Sequence, residues 1–241
     1  MKTHMEQLAL RVRLRDWARF ETFVAGPNAA AVAALSATTG TSAPRVLWLW
    51  GRAGTGKTHL LQAVCAAAGD SGTAAVYFDL RDTPDPGRLE GCETLATVCL
   101  DSLDRVAEDA DWNASIFRLY ALMQDVGGRL VVAGRPAPAS IAFRLPDLRS
   151  RLLSADVWQL QELDDEEQVQ ALQIRAARRG LTLADDAAVF LLRRLPRDMH
   201  SLCGVLDRLD EASLVAQRRL TVPFLRQALA AQAEADRSAG E

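Results

Sequence analysis

Residues 51–58, Gly-Arg-Ala-Gly-Thr-Gly-Lys-Thr, place glycines, a lysine and a threonine in the spacing G-x-x-x-x-G-K-[ST]. Each residue type has a physical use there. Glycines let backbone N–H groups face an anion, a lysine brings a point charge to β- and γ-phosphates, and a threonine hydroxyl is a hard oxygen ligand for Mg²⁺. Gly51, Gly54, Thr55, Gly56, Lys57 and Thr58 are therefore candidate nucleotide-binding residues, with ADP or ATP and Mg²⁺ as the candidate cofactors. Asp101 ends a second apolar run, "ETLATVCLD". An aspartate at a strand end beside such a loop holds the metal through its water shell, so Thr58 and Asp101 are the candidate metal residues. Ser102 follows, where an acid able to position or activate water is often expected, and a serine does not accept a proton at neutral pH. Asp104 is expected to fall past the strand end. This equipment favours binding over hydrolysis, with the nucleotide acting as a structural ligand.

The elements that must hold these residues can be traced in the pattern. "PRVLWLW" (Pro44 to Trp50) is an apolar run stopped by Gly51 and reads as a buried strand. The loop follows, then the Ala- and Leu-rich "THLLQAVCAAAG", a helix expected to end with Gly69 as its C′ residue. "AAVYFDL", "ETLATVCLD" and "RLVVAG" read as further strands. Between the last two, Ile116, Leu119, Tyr120 and Met123 recur at helical spacing. Upstream, "GPNAAAVAALSATTG" reads as a short helix after a mixed N-terminal arm. Strands alternating with helices predict a parallel sheet covered on both faces.

After about Trp158 the texture becomes helical. Asp164 and Glu167 form a capping pair, Val169, Leu172 and Ala176 make one stripe, and Gly180 stops the segment. "DDAAVFLLRRL" and "DMHSLCGVLDRLDEASLVAQRR" are amphipathic, and Thr221 with Pro223 opens a last helix before a polar end, "AEADRSAGE", expected to fray. The expected organisation is an arm over 1–15, a nucleotide-binding base over 16–160 and a helical lid over 161–235.

Bulk properties narrow the function. The chain has 241 residues, 49% of them hydrophobic, and a net charge of −3, which argues against wrapping nucleic acid by bulk electrostatics. Cys65, Cys92, Cys99 and Cys203 form no C-x-x-C pair, and free thiols in a reducing cytosol are the simple reading. No apolar run approaches the ~18 residues of a membrane span. A cytoplasmic location without membrane contact is expected.

"GRAGTGKTHLLQAV", "CLDSLDRV", "LPDLRSRL" and "QRRLTVPFLRQAL" together resemble the AAA+ core of the replication initiator DnaA, and more closely the shorter Hda family that regulates it. The resemblance runs from about Phe20 to Leu229. It implies an α/β fold: a P-loop AAA+ parallel-sheet domain with a small C-terminal all-helical lid domain. It implies that the chain docks on the sliding clamp (beta subunit) of the replicative polymerase and stimulates ATP hydrolysis by DnaA, preventing re-initiation of replication. "QLAL" (Gln7, Leu8, Leu10) is similar to the clamp-docking peptide of such proteins. Arg151 aligns with an arginine finger supplied in trans, with Arg149 as its local competitor. His59 joins the nucleotide contacts. His200 stands where the lid's sensor arginine is expected, with Arg197 as a substitute, and Arg135 stands where a polar or acidic sensor is usual. The chain ends soon after the lid, so no DNA-reading helix-turn-helix and no direct sequence-specific DNA binding are expected. Self-association is left open. An autonomous AAA+ ATPase of the DnaA or helicase-loader type is the alternative, and a DNA-binding initiator fragment is disfavoured.

Overall fold

The computed structural model of the protein describes residues 18–37, 45–194, 202, 204, 206 and 219–238. Five strands, β1 (Val46–Trp50), β2 (Ala75–Asp79), β3 (Thr97–Asp101), β4 (Arg129–Gly134) and β5 (Asp156–Gln159), form one sheet in the order β2-β3-β4-β1-β5. Every pairing is parallel. Parallel strands bury both faces, which is why β1, β3 and β4 are almost continuously apolar. Successive side chains go to opposite layers. Trp48, Leu100 and Val132 meet α3 (Ala110–Val126) and α4 (Pro146–Leu153) through Trp112, Ile116, Leu119, Leu148 and Leu152. Leu47, Leu49, Cys99 and Val131 meet α1 (Ala29–Ser36) and α2 (Lys57–Asp70) through Ala31, Leu35, Leu60 and Leu61.

Two features differ from the expected elements. Strand β5 has the sequence Asp-Val-Trp-Gln and a half-exposed pattern, too polar and short to announce a strand, and it lies at the sheet edge beside β1. Helix α2 does not end at Gly69. It runs to Asp70, and Gly72 takes the left-handed turn at φ +71° while the Thr73 N–H bonds the Ala68 carbonyl at 2.9 Å.

The lid comprises α5 (Asp165–Arg178), α6 (Asp185–Arg194) and α7 (Val222–Ser238). Its own core includes Leu172, Ala176, Leu191, Leu202, Leu206 and Leu225. Asp164 and Glu167 form the reciprocal capping box that their spacing predicts, at 2.8 and 2.9 Å. A two-residue parallel ladder, β6 (Thr182–Leu183) with β7 (Arg219–Leu220), joins the helices and has no distinct sequence signal. The α7 backbone is helical to Ser238, through most of the end expected to fray.

Three buried polar side chains tie these pieces together. Asn28 exchanges hydrogen bonds with the Gln161 backbone at 2.8 and 3.1 Å, pinning the N-terminal segment to the connection between sheet and lid. The Arg129 guanidinium donates to the carbonyls of Ala34, Leu35 and Ala37 and so satisfies the C-terminal end of α1. Asn113 donates to the carbonyls of Val106, Ala107 and Asp109 and accepts the Leu145 N–H at 3.1 Å, directly before α4. Removing a buried side chain that satisfies several backbone groups strands all of them. Asn113→Ala is expected to lower unfolding stability by about 2–3 kcal/mol, measured by urea denaturation. A change under ~0.5 kcal/mol would show that these backbone groups find other partners.

Candidate functional site

The site lies outside the carboxyl ends of the strands, where open α/β sheets place ligands. Strand β1 ends at Trp50, and the chain turns at Gly51 and climbs into α2 at Lys57. Gly56 has φ +91°, and a Cβ there would stand 2.5 Å from Phe23 Cε2. Only glycine fits both the backbone angle and the space. Lys57 is buried, and its ammonium donates to the carbonyls of Gly51 at 2.7 Å and Arg52 at 2.6 Å and to Thr55 Oγ1 at 3.3 Å. Burial lowers its pKa, while Asp101 and Asp104 oppose the shift.

Asp101 is buried at the end of β3. Its carboxylate accepts the Thr58 hydroxyl at 2.5 Å, the Tyr77 hydroxyl at 3.1 Å and the Ser102 N–H at 2.7 Å. Burial raises its pKa, and Asp79, its register neighbour on β2, adds to the rise. Asp79 itself is pulled the other way. Burial would raise it, but its bonds to Arg81 outweigh burial and hold it below the usual range. Among the described residues no group of three or more His, Cys, Asp or Glu could hold a metal ion. The Thr58–Asp101 pair suits Mg²⁺, a hard cation that takes its other ligands from water and phosphate.

Around the loop opens a cavity of about 460 Å³, within the ~300–1,000 Å³ usual for small-ligand sites. Gly54, Thr55, Gly56, Lys57, Thr58, His59 and Asp101 line it. Gly51 does not. It lies beneath, as the point where the strand turns. Asp104 lies past the end of β3, as expected, and still reaches the cavity. The short turn Leu103–Arg105 folds back from the strand end, so Asp104 lines the cavity and accepts the Arg135 N–H at 3.1 Å. Ser102 reaches this turn through a left-handed conformation, φ +61°, uncommon for a non-glycine residue. Arg135 is exposed on the same wall.

His59 is held by the N-terminal segment. Its Nε2 lies 2.9 Å from the Arg19 carbonyl, and its ring meets Phe23 edge-on at 5.3 Å. Burial pulls its pKa down to about 4, so the ring is uncharged at neutral pH. Thr22, Phe23 and Val24 form the adjacent wall, and Leu163, Ala171, Arg175 and Arg178 close the cavity from the lid. Sequence reasoning missed these residues. The N-terminal segment has no period of its own. Arg175 did leave one signal: it falls on the same helical face as Leu172 and Ala176, a charge within an apolar stripe.

Arg151 is not part of the cavity. It is exposed on α4, its guanidinium 5.5 Å above the Phe117 ring and 5.6 Å from that of Tyr120. Arg149 bonds the Ala139 carbonyl at 3.1 Å. Gln7, Leu8, Leu10, Arg197 and His200 lie outside the described residues.

A parallel sheet with a phosphate-type loop after β1, an aspartate at the end of β3 and a helical lid over the cavity defines a P-loop AAA+ protein. Comparison with known proteins narrows the class. Residues 165–229 match the family model for the Hda lid domain, and residues 14–78 match that for the bacterial DnaA ATPase domain. The C-terminal part of the chain is thus similar to the lid domain of Hda and the N-terminal part to the ATPase domain of bacterial DnaA. Domain III of the Thermotoga maritima initiator DnaA is similar at a TM-score of 0.72 and 20% identity, over 86% of this chain and 93% of that one. A DnaA initiator solved with AMPPCP and single-stranded DNA is similar at 0.67 and 18%, over 81% of this chain. The chain spans just under two thirds, 65%, of that initiator. The RuvB branch-migration motor of T. maritima gives 0.57 and 18%, over 78% and 62%. At these identities the structures establish the fold alone.

The Gly56 geometry yields a test. In Gly56→Ala the left-handed φ costs roughly 1–2 kcal/mol and the contact with Phe23 adds roughly 1–3 kcal/mol. The double variant Gly56→Ala/Phe23→Leu should recover only the second part. Thermal unfolding of the three proteins measures both, and equal melting temperatures for wild type and Gly56→Ala would contradict the loop geometry.

Proposed function

We propose that this chain binds ADP or ATP with Mg²⁺ in the cavity and acts in the cytoplasm on nucleotide held by DnaA, stimulating its hydrolysis while docked on the sliding clamp. Re-initiation of replication is thereby restrained. The observation that carries the reading is the position of Arg151. It stands exposed on α4, outside its own chain's cavity, its guanidinium laid against two aromatic rings. A cation so placed has no role in its own site and is available to a neighbouring one. There it would neutralise charge developing on the transferred γ-phosphoryl. The chain's own site supports the same division of labour, since Ser102 follows Asp101 where a water-positioning acid would serve hydrolysis.

Within the cavity, Gly54, Thr55 and Gly56 would present backbone N–H groups to phosphate, Lys57 would meet the terminal phosphates, and Thr58 with Asp101 would hold Mg²⁺. The metal would neutralise phosphate charge there. The arm residues Gln7, Leu8 and Leu10 would provide the clamp contact, the glutamine at a polar rim and the leucines in an apolar cleft. A second reading, an autonomous ATPase, draws on Asp104, a carboxylate that does line the cavity. ATP turnover by the isolated chain would favour it.

Two measurements test the proposal. In single-turnover hydrolysis of ATP pre-bound to DnaA, with clamp loaded on DNA, Arg151→Ala is expected to lose most of the stimulation. Arginine fingers contribute about 10³–10⁵ in rate in well-studied systems. Arg151→Lys should recover little, because a point charge lacks the planar fork, and Arg149→Ala should have the smaller effect. Full stimulation by Arg151→Ala would sink the finger assignment. Separately, replacing Gln7, Leu8 and Leu10 by Ala should abolish capture of the chain by immobilised clamp and leave the melting temperature unchanged. Undiminished capture would place the docking peptide elsewhere.

A further inference from the structure

The Asp101 carboxylate is held from three places at once. Thr58 on α2 and Tyr77 on β2 both donate to Oδ2, at 2.5 and 3.1 Å, and the Ser102 N–H donates to Oδ1 at 2.7 Å. Thr58 and Ser102 line the cavity, and Tyr77 does not. Tyr77 is 9% exposed and packs in the layer between sheet and α2, in the cluster with Leu60, Leu61 and Cys99. In the β2–β3 ladder its partner is Cys99, two residues short of Asp101, and the length of a tyrosine brings its hydroxyl from there to the carboxylate. The same hydroxyl is bonded to the side chain of Gln62, a buried residue one helical turn beyond Thr58.

An ionised carboxylate offers about four acceptor positions, two on each oxygen. Among the described residues the two hydroxyls take both positions on Oδ2, and the Ser102 N–H takes one on Oδ1. A single position, on Oδ1, is left.

We infer that Tyr77 is a positioning residue for the metal: with Thr58 it saturates Oδ2 and so leaves Oδ1 as the oxygen of Asp101 that meets the water shell of a bound Mg²⁺. The inference rests on the reading of Thr58 and Asp101 as the metal residues and adds to it a residue outside the cavity. The terminal torsion of an aspartate is broad and is fixed by its hydrogen bonds rather than by its rotamer. Without the Tyr77 hydroxyl, Oδ2 has an open position of its own and the carboxylate can turn between two ways of meeting the same cation. Partners that orient a metal-binding group from behind are worth about 10–100-fold in metal affinity. A buried tyrosine hydroxyl also requires a partner merely to be satisfied, so the test has to separate the two roles.

Titration calorimetry of the full-length chain with ADP, in Mg²⁺ and again in excess EDTA, gives the factor by which the metal strengthens binding. Tyr77→Phe removes the hydroxyl and keeps the ring. It is expected to cut that factor by about tenfold and to leave the affinity in EDTA unchanged. Asp101→Asn should abolish the factor altogether. A wild-type factor in Tyr77→Phe, even with a lowered melting temperature, makes the hydroxyl merely structural and overturns the inference, while the nucleotide and metal readings stand. An equal loss of affinity with and without metal assigns Tyr77 to the shape of the loop and overturns it too. If Tyr77→Phe does not fold, Tyr77→Met, a long side chain without a donor, is measured in its place with the same outcomes. No gain from metal in wild type, or a full gain in Asp101→Asn, overturns the metal reading together with the inference. Failure of wild type to bind ADP under either condition overturns the nucleotide reading itself.

Discussion

Four segments of the chain meet at Gly51. Its N–H bonds the Arg135 carbonyl at the end of β4, and its carbonyl accepts the Lys57 ammonium at 2.7 Å. The space where a Cβ would stand, at φ +151°, is filled by the Leu160 carbonyl at 2.5 Å. Leu160 begins the connection to the lid, and its N–H continues the β1–β5 ladder onto Trp50. Strand β1, the end of β4, the phosphate loop and the lid connection are thus packed through one residue that has no side chain. Any larger residue would separate the lid connection from the loop, so site and lid are fixed by the same contact. The neighbouring Asn28–Gln161 pair reinforces it by fastening the N-terminal segment to the same connection.

The electrostatics of the site follow from strand register. Parallel pairing sets Asp79 opposite Asp101 at adjacent strand ends, two carboxylates in a partly buried place. Arg81 pairs with Asp79, and among the described residues Asp101 accepts from two hydroxyls and one N–H. Burial then favours its neutral form, a tendency that a bound cation would reverse. Asp101 thus stays without a salt bridge among the described residues.

Two arginines on helices outside the loop differ sharply in position. Arg151 and Arg175 are chemically identical, and both lie on helices. One is exposed over aromatic rings away from the cavity, and the other is buried at its lid wall.

The sequence by itself determined the elements that local chemistry specifies. The phosphate loop is legible because its glycines and its lysine are required by backbone geometry and charge within eight residues. Strands β1, β3 and β4 are legible because burial on both faces demands uninterrupted apolar side chains, and the start of α5 because Asp164 and Glu167 satisfy orphan N–H groups at a spacing of three. Other features depended on distant segments coming together. Strand β5 exists because β1 offers it a paired edge, not because Asp-Val-Trp-Gln prefers to be extended. Gly69 and Gly72 were equally able to end α2, and only the closure onto Ala68 chose between them. Asp104 is past the strand end in sequence and structure alike, and only the left-handed turn at Ser102 brings it to the cavity. The wall formed by Thr22, Phe23 and Val24 and the burial of Arg175 arise from packing between segments some 150 residues apart, and no local pattern of residue types encodes a contact across that separation.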